Sequence, residues 1–258
     1  MARRIVITSG KGGVGKTTCS ALLGAELAKL GARVVLLDCD VGLNNLDLAV
    51  GVETLVNYDI VDVVESKCRI RQALIQHPKL PLLYILPSAH CNNTGKVTGE
   101  NINSILEELS KTFDYILIDC PAGIGMQFHN AVFGASEAII VTTPHLIAVR
   151  DAGKVAHLLC GYNLVSVGLV VNRIRNDLIS KKFMLSSEEI ASSLDLKLLG
   201  TIHESDQITA VSSVYGNLFS IKDNTILDFQ KLAKNVHLCK SQEILPRGFW
   251  GIKRKKGV

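Results

Sequence analysis

The chain has 258 residues, of which 47% are hydrophobic and 20% charged, so it can bury a substantial core as one large domain. Its longest apolar runs, residues 138–143 and 164–172, fall far short of the roughly 20 residues that a membrane-spanning helix needs. We therefore predict that this chain is not an integral membrane protein. The N-terminus also lacks an apolar segment followed by a cleavage site, which predicts a cytoplasmic rather than a secreted protein.

The positive charge is concentrated at the C-terminus. The net charge is +4, but residues 247–258 hold five of the 28 Lys and Arg residues and no acid, which leaves 23 basic against 24 acidic residues elsewhere. A nearly neutral body makes DNA an unlikely partner, whereas the basic tail favours attraction to an anionic surface.

The cysteines predict no disulfide framework. There are seven, an odd number, with no C-x-x-C pair, so we expect reduced and mostly buried thiols. They are Cys19, Cys39, Cys68, Cys91, Cys120, Cys160 and Cys239.

Strand-like and helix-like segments alternate along the chain. The predicted strands are residues 3–8, 33–38, 82–87, 115–119, 138–143, 165–172 and 197–202. The predicted helices are residues 17–30, 99–111, 126–134, 148–160, 186–194 and 225–238. This alternation predicts an α/β fold, a mostly parallel sheet with helices on both faces. Functional side chains should then follow the carboxyl ends of the strands.

The first predicted strand leads into a phosphate-binding loop. The motif comprises Gly10, Lys11, Gly12, Gly13, Val14, Gly15, Lys16, Thr17 and Thr18. Its glycines let backbone N–H groups approach a triphosphate, while Lys16 contacts the β- and γ-phosphates and the Thr17 hydroxyl binds Mg²⁺. Lys11 is an addition that ordinary loops of this kind lack, and we expect it to contact phosphate as well.

Three further predicted strands end in polar side chains. Asp119 follows four apolar residues, the Walker B arrangement that orients water on Mg²⁺, and Asp38 ends a second strand in the same way. Asp40, two residues later, is a candidate for positioning the attacking water, with turn capping as the alternative. Asn172 and Arg173 either contact an adenine or cap the strand. No Asn-Lys-x-Asp motif is present, which counts against GTP.

With these motifs in place, the chain resembles the deviant-Walker ATPases of the MinD/ParA family over residues 3–238. The matching segments are residues 9–18, 40–47, 58–65, 119–125 and 149–152. The first segment is shared across the family, including chromosome-partitioning ATPases, a flagellar-number regulator and the nitrogenase iron protein. The middle segments are characteristic of the division-site-selecting MinD branch.

The resemblance implies a single P-loop ATPase domain, residues 1–245, that uses ATP and Mg²⁺. In this family the lysine at the position of Lys11 reaches the phosphates of a second subunit, which implies a homodimer in the ATP state. Asp40 matches the hydrolytic aspartate, Asn172 and Arg173 match adenine contacts, and Asp206 matches a further position beside the nucleotide.

The resemblance also implies partners. Arg150 and Asp151 match a surface for partner proteins near the dimer seam. The expected function is selection of the division site: the ATP-bound dimer binds the inner face of the cell membrane and recruits a MinC-like septum inhibitor, under a MinE- or DivIVA-type regulator.

Two positions depart from the family pattern. His145 follows Pro144 where a glutamate is common, so we expect the control of Lys11 in the resting state to differ. The C-terminal tail, residues 246–258, is short and contains three glycines. Its candidate membrane contacts are Phe249, Trp250, Ile252, Lys253, Arg254, Lys255 and Lys256. A basic tail that only aids solubility is the alternative.

Three other functions remain open at this point. A partitioning or flagellar-number ATPase would use the same nucleotide switch. A redox carrier would hold an iron–sulfur cluster between paired cysteines, although neither Cys91 nor Cys120 lies in the sequence context of such ligands. A binding module without hydrolysis is the third.

Overall fold

The computed structural model describes residues 2–40, 45–88, 97–213 and 216–238. The strands in these ranges are β1 (Arg3–Thr8), β2 (Val34–Asp38), β3 (Ile75–Gln76), β4 (Leu83–Leu86), β5 (Tyr115–Asp119), β6 (Glu137–Thr142), β7 (Ser166–Ile174) and β8 (Lys197–His203). The helices are α1 (Lys16–Lys29), α2 (Leu46–Val50), α3 (Ile60–Val64), α4 (Ile70–Ala73), α5 (Gly99–Leu109), α6 (Met126–Phe133), α7 (Leu146–Leu159), α8 (Asn176–Ser180), α9 (Ser187–Leu194), α10 (Asp206–Ser213) and α11 (Thr225–Leu238).

The strands form one sheet in the order β3-β4-β2-β5-β1-β6-β7-β8. All neighbours are parallel except β3 and β4, which confirms the predicted mostly parallel α/β fold. Strand β1 lies in the middle, between β5 and β6. The segments that follow these three strands therefore share one edge of the sheet, the place where parallel α/β sheets bind ligands.

Alternate residues of the central strands enter two separate cores. Val6, Ile116 and Ile118 pack on one face with side chains of α5, α6, α7 and α9. Ile5 and Leu117 pack on the other face with side chains of α1 and α11. Because both faces are covered, the strands are apolar at nearly every position, which is why the sequence shows continuous apolar runs.

The structure adds elements that the sequence pattern did not predict, including β3 and the short helices α2, α3, α4, α8 and α10. Helix α7 begins at Leu146, two residues before the predicted start. The predicted domain boundary at residue 245 and the tail 246–258 lie outside the described residues. Among the helices of the described ranges, none combines the length and the hydrophobicity that crossing a bilayer requires.

Candidate active site

The segment between β1 and α1 is shaped to hold an anion. Gly13 and Gly15 have φ values of 75° and 97°, a region that side chains other than glycine rarely adopt. Gly15 precedes α1, whose N-terminus has no side-chain cap and no acidic residue in its first turn. The free N–H groups and the positive end of the helix dipole are therefore available to phosphate oxygens.

The two lysines of this loop lie in different environments. Lys16 is only 8% exposed, and its charge acts on the carboxyl groups of Asp40 and Asp119, opposing the rise in their pKa values. Lys11 is exposed, as are the neighbouring Gly12 and Gly13. The Ser9 hydroxyl donates to the Lys11 carbonyl at 2.8 Å and fixes the loop at this residue. One lysine thus belongs to the interior of the site and the other to its surface.

Two buried carboxylates lie side by side next to Lys16. Asp38 and Asp119 are register partners at the ends of β2 and β5, only 1% and 2% exposed. Burial, reinforced by the Asp119 charge, raises the pKa of Asp38 well above its ordinary value. Burial also raises the pKa of Asp119 to about 6, although hydrogen bonds from Thr17 and Ser20 oppose this rise.

This arrangement fits a divalent cation. A positive ion beside Asp38 and Asp119 would offset the repulsion and the burial that raise their pKa values. The Thr17 side chain contacts Asp119, so hydroxyl and carboxylate oxygens, the ligands that Mg²⁺ prefers, meet at one place. The Ser20 hydroxyl, which donates to Asp119 Oδ1 at 3.0 Å, was not predicted. The sequence signal that could have indicated this contact is the position of Ser20, one helical turn after Thr17.

Asp40 is held beside these carboxylates by its own backbone. Its N–H donates to Asp38 Oδ1 at 2.9 Å, and the Leu46 N–H donates to Asp38 Oδ2 at 3.4 Å. Asp38 therefore anchors both flanks of residues 41–44, which lie outside the described ranges. Burial raises the pKa of Asp40 and the charge of Lys16 opposes this effect. Its partly buried carboxylate thus lies within reach of the Lys16 charge, and its role in positioning water stays a prediction.

The predicted adenine contacts divide into two locations. Asn172 is buried and its side-chain amide donates to the Val14 carbonyl at 2.8 Å, so it supports the loop directly. Arg173 is exposed, with a left-handed φ of 61°. Asp206 is exposed at the start of α10 and lines a polar cleft with His203, past the end of β8.

Helix α7 touches the loop through Asp151. A Cβ atom on Gly10 would lie 2.5 Å from the Asp151 carbonyl oxygen, so only glycine permits this approach. The Asp151 carboxylate pairs with Lys154 at 2.8 Å, and the charges of Lys154 and, to a lesser degree, Lys11 hold its pKa below the ordinary value. Arg150 is exposed. The sequence marked Arg150 and Asp151 as a partner surface but gave no signal of the contact with Gly10.

Exposed apolar side chains lie on both sides of the loop. Ile124 and Met126 follow β5, and Leu146 and Ile147 follow β6, the two strands that flank β1. Their exposed fractions range from 47% to 74%, high for side chains of this size. We call these four residues the apolar rim. The rim was not predicted: Ile124 lies before α6, and Met126, Leu146 and Ile147 are the first residues of α6 and α7.

Comparison with known proteins agrees with this geometry. A family model described as an AAA domain matches residues 2–160. The septum site-determining protein MinD of Bacillus subtilis is 44% identical over 92% of this chain and 89% of its own length. The chain belongs to the MinD family. It is accordingly an ATPase of division-site selection, and the partitioning and flagellar alternatives are not favoured.

Solved MinD structures have the same fold. The MinC:MinD cell division complex of Aquifex aeolicus contains a chain with a TM-score of 0.83 and 36% identity, over 92% of this chain and 96% of that one. MinD of Pyrococcus horikoshii, complexed with Mg-ADP, also has a TM-score of 0.83, with 30% identity over 95% of this chain and 100% of that one. The recognition of the family and of the fold from sequence is thus confirmed.

Proposed function

We propose that this chain is an ATP-driven membrane switch. ATP joins two copies, the dimer binds an anionic membrane and holds a MinC-like division inhibitor, and hydrolysis separates the copies again. The observation that carries the proposal is the contrast within one loop, where Lys16 is buried among carboxylates and Lys11 is exposed beside the apolar rim.

Within one subunit, the loop from Gly10 to Thr18 binds the triphosphate. Its N–H groups and Lys16 neutralise phosphate oxygens, and Thr17, Asp38 and Asp119 hold Mg²⁺, the two carboxylates directly or through water. Mg²⁺ supplies charge neutralisation of the phosphates when it is bound. Asp40 orients the attacking water and accepts its proton. Asn172 fixes the loop, while Arg173 and Asp206 contact the nucleoside.

Between subunits, Lys11 contacts the phosphates of the second copy. Two features support this role: Lys11 is exposed, and the apolar rim on both sides of it loses water contact when two copies meet face to face. An isologous dimer of this kind places each Lys11 opposite the nucleotide of the other subunit. The triphosphate then decides whether the subunits stay together.

The switch acts on partner proteins and on the membrane. Arg150 and Asp151, on α7 next to the loop, present charge where a MinC-like inhibitor and a MinE- or DivIVA-type regulator would sense the nucleotide state. A MinC partner is supported by the Aquifex aeolicus MinC:MinD complex. The tail, residues 246–258, supplies the contact with the inner face of the cell membrane, and dimerisation doubles the number of tails.

The test measures molar mass by light scattering during gel filtration, in a non-hydrolysable ATP analogue and in ADP. We expect the native chain to dimerise only in the analogue, and Lys11→Ala to stay monomeric while still binding nucleotide. Lys111→Ala, which removes an exposed lysine from the surface pair with Glu108, is the matched control and should dimerise normally.

A second pair of variants tests whether the apolar rim lies in the dimer interface. Leu146→Glu places a charge on the apolar rim and should block dimerisation, whereas Phe183→Glu changes an 80% exposed side chain after α8 and should not. Normal dimers of Lys11→Ala in the analogue would show that this lysine does not act across the seam.

A further inference from the structure

A cavity lies at the edge of the sheet opposite the phosphate-binding loop. It has a volume of about 330 Å³ and is enclosed by α7, the end of α9 and the first residues of β7 and β8. An apolar cavity of about 150 Å³ can hold a benzene molecule, so this one has room for a larger aromatic ring system. Its apolar walls include Ala156, Val167, Leu194 and Leu196, and the exposed Ser193 and Asp195 stand at its mouth.

The walls are apolar side chains that the described part of the chain covers only on one side. Val167, Leu194 and Leu196 pack against the core that contains the side chains of α7 and α9, yet each stays partly exposed. Contact of such walls with water is unfavourable, so an apolar group that enters the cavity gains the free energy of burial. Pockets of this size and lining commonly hold an apolar ligand.

The last described helix ends at the same edge of the sheet. Helix α11 packs on the opposite face of β8, which is the last strand in the sheet order. The Asn235 side-chain amide donates to the Leu199 carbonyl at 2.9 Å, three residues after Leu196 of the cavity wall. Arg3, at the start of β1, donates to the Val236 carbonyl. The chain therefore leaves α11 at the cavity's edge of the sheet, on the other face.

The C-terminal segment is long enough to reach the cavity around β8. Residues 239–249 precede Trp250, and these eleven residues span up to about 36 Å when extended. The path from α11 to the cavity crosses one helix layer on each face of the sheet, about 20 Å in all, because a helix is about 10–12 Å in diameter. Trp250 is the only tryptophan of the chain and has the largest apolar side chain of residues 246–258.

We propose that this cavity is the docking site of Trp250 from the chain's own tail. The indole ring covers the apolar walls, and its N–H donates to an acceptor at the mouth, the Asp195 carboxylate or the Ser193 hydroxyl. A docked Trp250 cannot enter a membrane, so the cavity withholds one membrane contact of each subunit. This regulation rests on the membrane role proposed for the tail, whereas the docking itself does not.

The experiment measures the fluorescence of Trp250 in the full chain, in ADP and without vesicles. We expect the blue-shifted emission and the weak acrylamide quenching of a buried indole. Ser193→Phe fills the mouth of the cavity, so it should shift the emission to the red and raise quenching several-fold. Ser192→Phe, the matched control, adds the same side chain one residue earlier on exposed surface that does not line the cavity, and it should keep the native signal.

Three results would overturn the proposal. They are a native emission equal to that of the urea-unfolded chain, equal quenching in the native chain and Ser193→Phe, and a native signal that depends on protein concentration, which would indicate the tail of a second copy. Co-sedimentation with phosphatidylglycerol vesicles in ADP tests the consequence, and Ser193→Phe should sediment several-fold more than Ser192→Phe. Failure of the proposed membrane role would leave the fluorescence results as expected and would appear as equal sedimentation of these two variants.

Discussion

The side-chain amide of Asn172 donates a hydrogen bond to the backbone carbonyl of Val14 and thereby joins β7 to the phosphate-binding loop at 2.8 Å. A Cβ atom on Gly15 would lie 2.4 Å from the same amide nitrogen. The conformation of the loop therefore depends on the Asn172 hydrogen bond, and the position of Asn172 in turn depends on glycine at residue 15. The strand end that was predicted to contact adenine thus also supports the loop that was predicted to bind phosphate.

Gly15→Ala should weaken nucleotide binding by more than about tenfold. Alanine at a φ of 97° costs about 1–2 kcal/mol, and its methyl group would displace Asn172. Titration with a fluorescent ATP analogue measures the loss. Gly31→Ala is the matched control, because Gly31 has a φ of 92° with no neighbouring atom near its Cβ position. It should lose stability but bind nucleotide normally, and equal loss of binding in both variants would contradict the contact with Asn172.

The fold was more predictable than the site. Strand β5 matches its predicted bounds, because a buried parallel strand is apolar at every position and ends at a charged residue. Strand β3 has only two residues and exists through its pairing with β4, which no local pattern reveals. Likewise, Asp38 and Asp119 follow from the strand pattern, whereas the approach of Asp151 to Gly10 depends on how α7 packs across the loop.

The nucleotide-free protein should lose stability as the pH rises from about 4 to about 6. The pKa of Asp119 is about 6 in the folded state, against about 3.9 when unfolded, so the folded state binds more protons within this window. The free energy of unfolding is therefore higher near pH 4 than near pH 6, and it stays at the lower value above about pH 6. The raised pKa of Asp38 acts in the same direction.

Urea unfolding at about pH 5 and about pH 7.5 measures the change of the unfolding free energy with pH, which we call the pH slope. Asp119→Asn should flatten the pH slope and should stabilise the nucleotide-free protein at neutral pH. Asp195→Asn, after α9 and far from the site, is the control and should keep the native slope. An unchanged slope in Asp119→Asn would mean that burial of this carboxylate does not control the pH dependence.

Asp40→Asn should separate hydrolysis from dimerisation. The amide keeps the size of the side chain and its place beside Asp38 but cannot accept a proton, so phosphate release should fall by on the order of 100-fold. ATP binding and ATP-dependent dimers should persist and last longer, which light scattering in ATP measures. Glu53→Gln, an exposed change on the next segment, should leave both properties intact. Loss of dimers in Asp40→Asn would assign this residue to nucleotide binding instead.

Deletion of residues 247–258 should abolish ATP-dependent binding to anionic vesicles without preventing dimerisation. Each Lys or Arg near an anionic surface contributes on the order of 1 kcal/mol, and the glycines Gly248, Gly251 and Gly257 weaken any helix by about 1 kcal/mol each, so one tail binds weakly. Two tails on one dimer act together and bind measurably. Co-sedimentation in ATP and in ADP measures the difference.

Trp250→Ala should lower vesicle binding partly, which distinguishes an inserted aromatic side chain from charge attraction alone. Equal sedimentation of the deleted and native chains would show that the tail has no membrane role.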